Sequence, residues 1–139
     1  MKNLLTNIWK HNLEALDFAF QPILNIHTGE IYGVEALLRN YEDIGYKSIF
    51  DLFDDVHSED LLYKFDIALR EKAIDKFTKI KDHKSIKLYY NLDNRLFLMP
   101  DFKSGNTNKI IKKYNLLKEN LCFEISERHE IQGKNYLQK

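Results

Sequence analysis

The chain has 139 residues, with 21 Lys or Arg balanced by 21 Asp or Glu, so its formal charge is zero. Its apolar share of 44% and aromatic share of 13% are enough for one packed domain and exclude a disordered chain. A single cysteine, Cys122, excludes an intramolecular disulfide and a cysteine-rich zinc module, and no apolar run reaches the roughly 18 residues of a membrane span.

The opening Met1-Lys2-Asn3-Leu4-Leu5 carries no apolar signal core, which predicts a cytoplasmic protein. The charge is uneven: residues 1–70 hold 12 acids and 6 bases, and residues 71–139 hold 9 acids and 15 bases. Seven acids fall between Glu42 and Asp60 and read as solvated faces. The lysines of the second half are scattered among apolar residues, so neither DNA nor RNA is expected as a partner.

Leu4, Leu5, Ile8, Trp9, Leu13 and Leu16 recur at helical spacing and predict an amphipathic helix over 3–16. Phe18 to Ile26 is rich in strand formers, His27-Thr28-Gly29-Glu30 is a turn signal, and Ile31 to Leu38 reads as a second strand, together an antiparallel hairpin. Asn40 to Ser48 is loop and Ile49 to Val56 a short helix. Leu61, Leu62, Phe65, Leu69, Ala73, Phe77 and Ile80 form one apolar stripe on a long helix. Ile86 to Leu92 is a third strand and residues 95–102 a short irregular or helical piece. A helix is predicted from Asn108 to Glu119, then a fourth strand from Leu121 to Ser126 and a polar tail from Arg128. Strands alternating with helices predict parallel pairing through right-handed crossovers, in a sheet that stays open or closes into a barrel.

Four polar residues interrupt the four apolar strands: Gln21, Glu35, Asn91 and Glu124. A carboxylate enclosed by apolar neighbours needs a partner, and two of them could share a hard divalent cation with the amide oxygen of Asn91. Equally, each Glu could point out of the sheet, Asn91 could end a strand, Gln21 could accept a backbone hydrogen bond and Arg39 could be a surface charge. No glycine-rich phosphate loop is present.

Phe20-Gln21-Pro22-Ile23, followed by Gly33-Val34-Glu35-Ala36-Leu37-Leu38-Arg39, resembles the opening of the EAL domain. This bacterial family hydrolyses the second messenger cyclic di-GMP and is named for the tripeptide found here as Glu35-Ala36-Leu37. Tyr90-Asn91-Leu92 resembles the family's third-strand Asn motif. Phe123-Glu124-Ile125-Ser126-Glu127 resembles its Glu-x-Thr-Glu motif, with Ser126 in place of Thr. Phe65-Asp66-Ile67-Ala68-Leu69-Arg70 fits the helix between the second and third strands.

The resemblance covers about Phe18 to Glu130. It implies an α/β fold, a TIM-like barrel whose first strand is antiparallel, with about four strands present. It implies Glu35, Asn91 and Glu124 as ligands of Mg²⁺ or Mn²⁺, Gln21 and Arg39 as contacts to cyclic di-GMP, Glu127 as the brace of a catalytic loop, and linear pGpG as the product. The family's Asp-Asp-Phe-Gly strand, catalytic Lys, later Glu and final Gln have no counterpart here, and Asp54-Asp55 precedes the third strand and cannot replace them. A barrel of this kind needs roughly 200 residues or more. Residues 1–17 are therefore expected as an N-terminal helix and 18–139 as the N-terminal half of an EAL domain, inactive alone and binding metal weakly or not at all. The alternative is a non-catalytic module that binds cyclic di-GMP or a protein. An unpaired edge at Leu121 to Ser126, beside a barrel lining that includes Phe20, Tyr90 and Phe123, predicts a homo-oligomer, most simply a two-fold dimer.

Overall fold

The computed structural model describes residues 5–126. Helix α1 runs Asn7–Ala15 and starts at Thr6, whose Oγ1 accepts from the Trp9 amide at 3.2 Å. Trp9 is buried against Phe65, and its indole Nε1 donates to Glu59. Strands β1 (Asp17–Leu24) and β2 (Ile31–Arg39) form the expected antiparallel hairpin. The first strand stops at Leu24, two residues early. Asn25 turns the chain there by accepting from the His27 and Thr28 amides, and Gly29 takes a φ of 73° that a side chain would resist.

Helix α2 (Ile49–Ser58) is capped by Ser48, and α3 (Leu62–Phe77) follows. Strand β3 (Lys87–Asp93) runs parallel to β2, and β4 (Leu121–Ser126) runs parallel to β3, giving one open sheet in the order β1-β2-β3-β4. Helix α4 (Asn106–Lys113) is shorter than the predicted 108–119. Asn115 adopts a φ of 57°, a left-handed residue that ends a helix, and a separate 3₁₀ turn covers Lys118–Asn120.

The stripe of α3 is the centre of the core: Leu62, Phe65, Leu69, Ala73 and Phe77 are all at most 1% exposed. It packs on one face of the sheet. Phe20 meets Phe77 edge-on, Tyr90 donates to Asp66, and the Arg70 guanidinium lies 5.2 Å from the Phe123 ring centre. Phe20, Tyr90 and Phe123 are therefore on the helix side, not in a barrel lining as expected. Alternation along a strand separates two faces but does not say which one the helices take. The acidic stretch is also more than solvated surface. Asp54 pairs with Arg95, Asp55 accepts from the Tyr46 hydroxyl, and Glu59 holds Trp9.

At Gly33 the neighbouring strand β3 leaves no room for a side chain. A Cβ there would stand 2.7 Å from the Lys87 carbonyl oxygen and 2.8 Å from Tyr89 Cε1. Gly33→Ala must push the strands apart and should cost about 1–3 kcal/mol. Urea unfolding checks it, and a midpoint equal to that of the parent chain would mean that the strands part freely.

Candidate functional site

Because Phe20, Tyr90 and Phe123 face the helices, their neighbours along each strand face the other way. Gln21, Glu35, Asn91 and Glu124 all lie on this second face. Register joins them: Gln21 is opposite Glu35, Glu35 is opposite Tyr89, and Asn91 is opposite Glu124. Asn91 Nδ2 donates to Glu35 Oε2 at 3.1 Å. Its nitrogen is thus turned to the carboxylate, which leaves the amide oxygen as an acceptor for something else. Glu35 is half-buried, whereas Gln21, Asn91 and Glu124 are exposed. Glu124 is therefore not a carboxylate enclosed in apolar surroundings, and water alone can satisfy it. What the fold supplies is a row of oxygen atoms on one sheet face.

Arg39 ends β2, four residues beyond Glu35 or about 13 Å along an extended strand. It is exposed, stands opposite Asp17, and donates from Nη1 to the Leu38 carbonyl. Glu127 lies outside the described residues. The oxygen set of Glu35, Asn91 and Glu124 suits Mg²⁺ or Mn²⁺ in kind, since these ions take carboxylate and amide oxygens and keep several waters. Among the described residues, no group of three or more His, Cys, Asp or Glu is placed to hold a metal ion.

The piece over 95–102, expected as irregular or helical, opens as a 3₁₀ helix over Asn94–Leu98 directly after β3. Arg95 clamps Asp93, the last residue of β3, and the Asp-x-Arg spacing just after a strand was the signal for it. On the same face Tyr89 packs over Gly33 beside Tyr32, with ring centres 6.3 Å apart. Burial and a hydrogen bond with Tyr32 push the Tyr89 hydroxyl up to about 12, so it stays protonated at neutral pH. Among the described residues, no helix is long and apolar enough to cross a membrane.

The family model described as the EAL domain matches residues 3–138. A standalone versatile EAL protein from Vibrio cholerae O395, solved bound to c-di-GMP, is 34% identical, with a TM-score of 0.62 over 84% of this chain and 47% of that one. The EAL enzyme Bd1971, solved with cAMP and cyclic-di-GMP, is 23% identical, with a TM-score of 0.71 over 91% of this chain and 36% of that one. Klebsiella pneumoniae BlrP1, in a manganese and cyclic-diGMP complex, is 22% identical, with a TM-score of 0.63 over 89% of this chain and 30% of that one. The chain thus spans less than half the length of each of these relatives. No curated protein matches it.

Proposed function

The chain belongs to the EAL domain family, of which it is a partial domain, and on that premise we propose that it works in bacterial cyclic di-GMP signalling. The parent activity is metal-dependent hydrolysis of cyclic di-GMP to linear pGpG. The observation that carries this reading is the Glu35–Asn91 hydrogen bond with Glu124 in register beside it, on the sheet face turned away from α3.

In this reading Glu35, Asn91 and Glu124 hold Mg²⁺ or Mn²⁺. The ion, when bound, supplies polarisation of a phosphoryl oxygen and acidifies the attacking water. Glu35 fixes the Asn91 amide by accepting from its nitrogen, which leaves the amide oxygen available as a ligand. Gln21, level with Glu35, and Arg39, at the end of β2, contact the ligand, with Arg39 offering its guanidinium fork to a phosphate. Glu127, which lies outside the described residues, would brace a catalytic loop by its place in the Glu-x-Ser-Glu motif alone. The Vibrio cholerae relative bound to c-di-GMP and the Klebsiella pneumoniae complex with manganese support the choice of ligand and ion.

Isothermal titration of this chain with Mg²⁺, Mn²⁺ and cyclic di-GMP tests it. Divalent binding should be weak, in about the millimolar range, because three protein oxygens leave most of the ion's shell to water. It should be lost in Glu35→Gln. Binding of the ions that is indifferent to Glu35 would overturn the assignment.

A second reading is a non-catalytic module that binds cyclic di-GMP or a protein partner. It is favoured by the exposure of Gln21, Asn91 and Glu124, which puts polar groups on an open sheet face where they can meet a ligand without enclosing an ion. Hydrolysis by this chain above the buffer rate would exclude it. In either reading the protein works in the cytoplasm, where a nucleotide second messenger is met.

We also propose that the chain self-associates. Among the described residues β1 and β4 are the outer strands of the sheet, and Ile125 on β4 is 55% exposed. Pairing of such edges in a closed two-fold dimer is the simplest outcome. Sedimentation at several concentrations should show a species heavier than 16.6 kDa that dissociates on dilution. A single species at that mass throughout would overturn it.

A further inference from the structure

The β2–β3 ladder runs only from Gly33 opposite Lys87 to Glu35 opposite Tyr89, so it stops two residues short of Asn91. From there on, β3 keeps its register only with β4, as far as Asp93 opposite Ser126. Side chains bridge the gap. One bridge is Asn91 to Glu35. The other begins at Asp93, two residues past Asn91 on the same face. Its carboxylate accepts from the Arg95 amide at 2.9 Å and from the guanidinium twice, from Nε at 3.1 Å and from Nη2 at 2.7 Å. The same Nη2 stands 3.1 Å from Asp54 Oδ1 in α2, the helix that follows β2 in the chain. Arg95 thus ties the segment after β2 to the end of β3 at the level where the backbone ladder has ended.

We propose that Arg95 is a positioning residue for the candidate cation site, a latch that fixes the end of β3 and with it the Asn91 amide against Glu35. The proposal rests on the reading of Glu35, Asn91 and Glu124 as oxygen ligands. An arginine suits the task because its planar fork holds one carboxylate with two parallel bonds while a third contact reaches another element. Its side chain is only 15% exposed, so solvent and salt weaken these contacts less than those of a surface pair. Asn91 itself is exposed, and without the latch only its single bond to Glu35 would orient it from the β2 side.

Two measurements on this chain test the latch. In the metal-free protein, the side-chain amide resonances of Asn91 should shift and lose exchange protection in Arg95→Met. In Mn²⁺ titrations followed by water-proton relaxation, Arg95→Met should bind at least about tenfold more weakly, the range seen when groups that orient a ligand are removed. Arg95→Lys restores the charge without the fork and should remain weakened while melting with the parent chain. Asp54→Asn weakens the tie to α2 at a half-exposed position, and should give the same changes in smaller measure. Wild-type protein that binds no Mn²⁺ would refute the cation reading, and the amide signals of Asn91 would still decide the latch. Amide signals unchanged in Arg95→Met, Mn²⁺ affinity unchanged in that variant, or full rescue by Lys would overturn it.

Discussion

Glu124→Gln, placed in a complete barrel built on this segment, should lower cyclic di-GMP hydrolysis by about 10²–10³-fold, the usual loss when one group that stabilises transition-state charge is removed. Glu124 is exposed on β4 and stands opposite Asn91. The amide keeps the shape of the carboxylate and adds no apolar surface, so the fold should move by no more than about 0.5 kcal/mol. What changes is the charge. A carboxylate binds a hard divalent ion far better than a neutral amide does, and Asn91 already supplies one amide oxygen to the set. Activity assays at saturating Mn²⁺ and at limiting Mn²⁺ separate the two contributions. A deficit rescued by excess ion locates the loss in metal affinity. A deficit that persists locates it in the arrangement of the bound phosphate. Normal hydrolysis by the variant under both conditions would remove Glu124 from the ligand set.

Much of this arrangement is legible in the residues. The fourth strand runs Leu121–Ser126 as read, and the second ends only one residue later than read, because hydrophobic runs bounded by turn signals mark strands clearly. The stripe of α3 is legible for the same reason, since Leu62, Phe65, Leu69 and Phe77 repeat at helical spacing and are buried together. Three things were hidden. The end of α4 depends on Asn115 adopting a left-handed conformation, which sequence allows but does not require. The side of the sheet that α3 covers is a tertiary choice, so Phe20, Tyr90 and Phe123 were placed on the wrong face. The role of Arg95 depends on Asp54, which lies 41 positions earlier in the chain, and no local pattern links them. The candidate site itself was legible because Gln21, Glu35, Asn91 and Glu124 break apolar strands. Their common face needed the register of three strand pairs.

Arg70→Met should be severely destabilising, costing about 3–5 kcal/mol, the usual loss when one partner of a buried ion pair is deleted. Arg70 and Asp66 are one turn apart on α3 and both at least nine-tenths buried. Arg70 Nη2 donates to Asp66 Oδ2 and Nη1 to Thr107 in the first turn of α4, so the side chain joins two helices over the Phe123 ring. Without it, Asp66 keeps the Tyr90 hydroxyl at 3.2 Å and loses its countercharge. The loss should depend on pH, with a definite sign. Burial already pushes the Asp66 carboxyl above its ordinary value, against the pull of Arg70, and removing the guanidinium pushes it further. A carboxyl whose folded value is raised is best tolerated when protonated. Its contribution is fully present below the unfolded value and is lost as pH rises through the folded one. The gap between Arg70→Met and the parent chain should therefore widen from acid towards neutral pH, and Asp66→Asn in the same background should recover most of it. Urea unfolding at a series of pH values decides the matter. A gap that stays constant with pH would show that lost packing of the arginine stem, and not the stranded carboxylate, sets the cost.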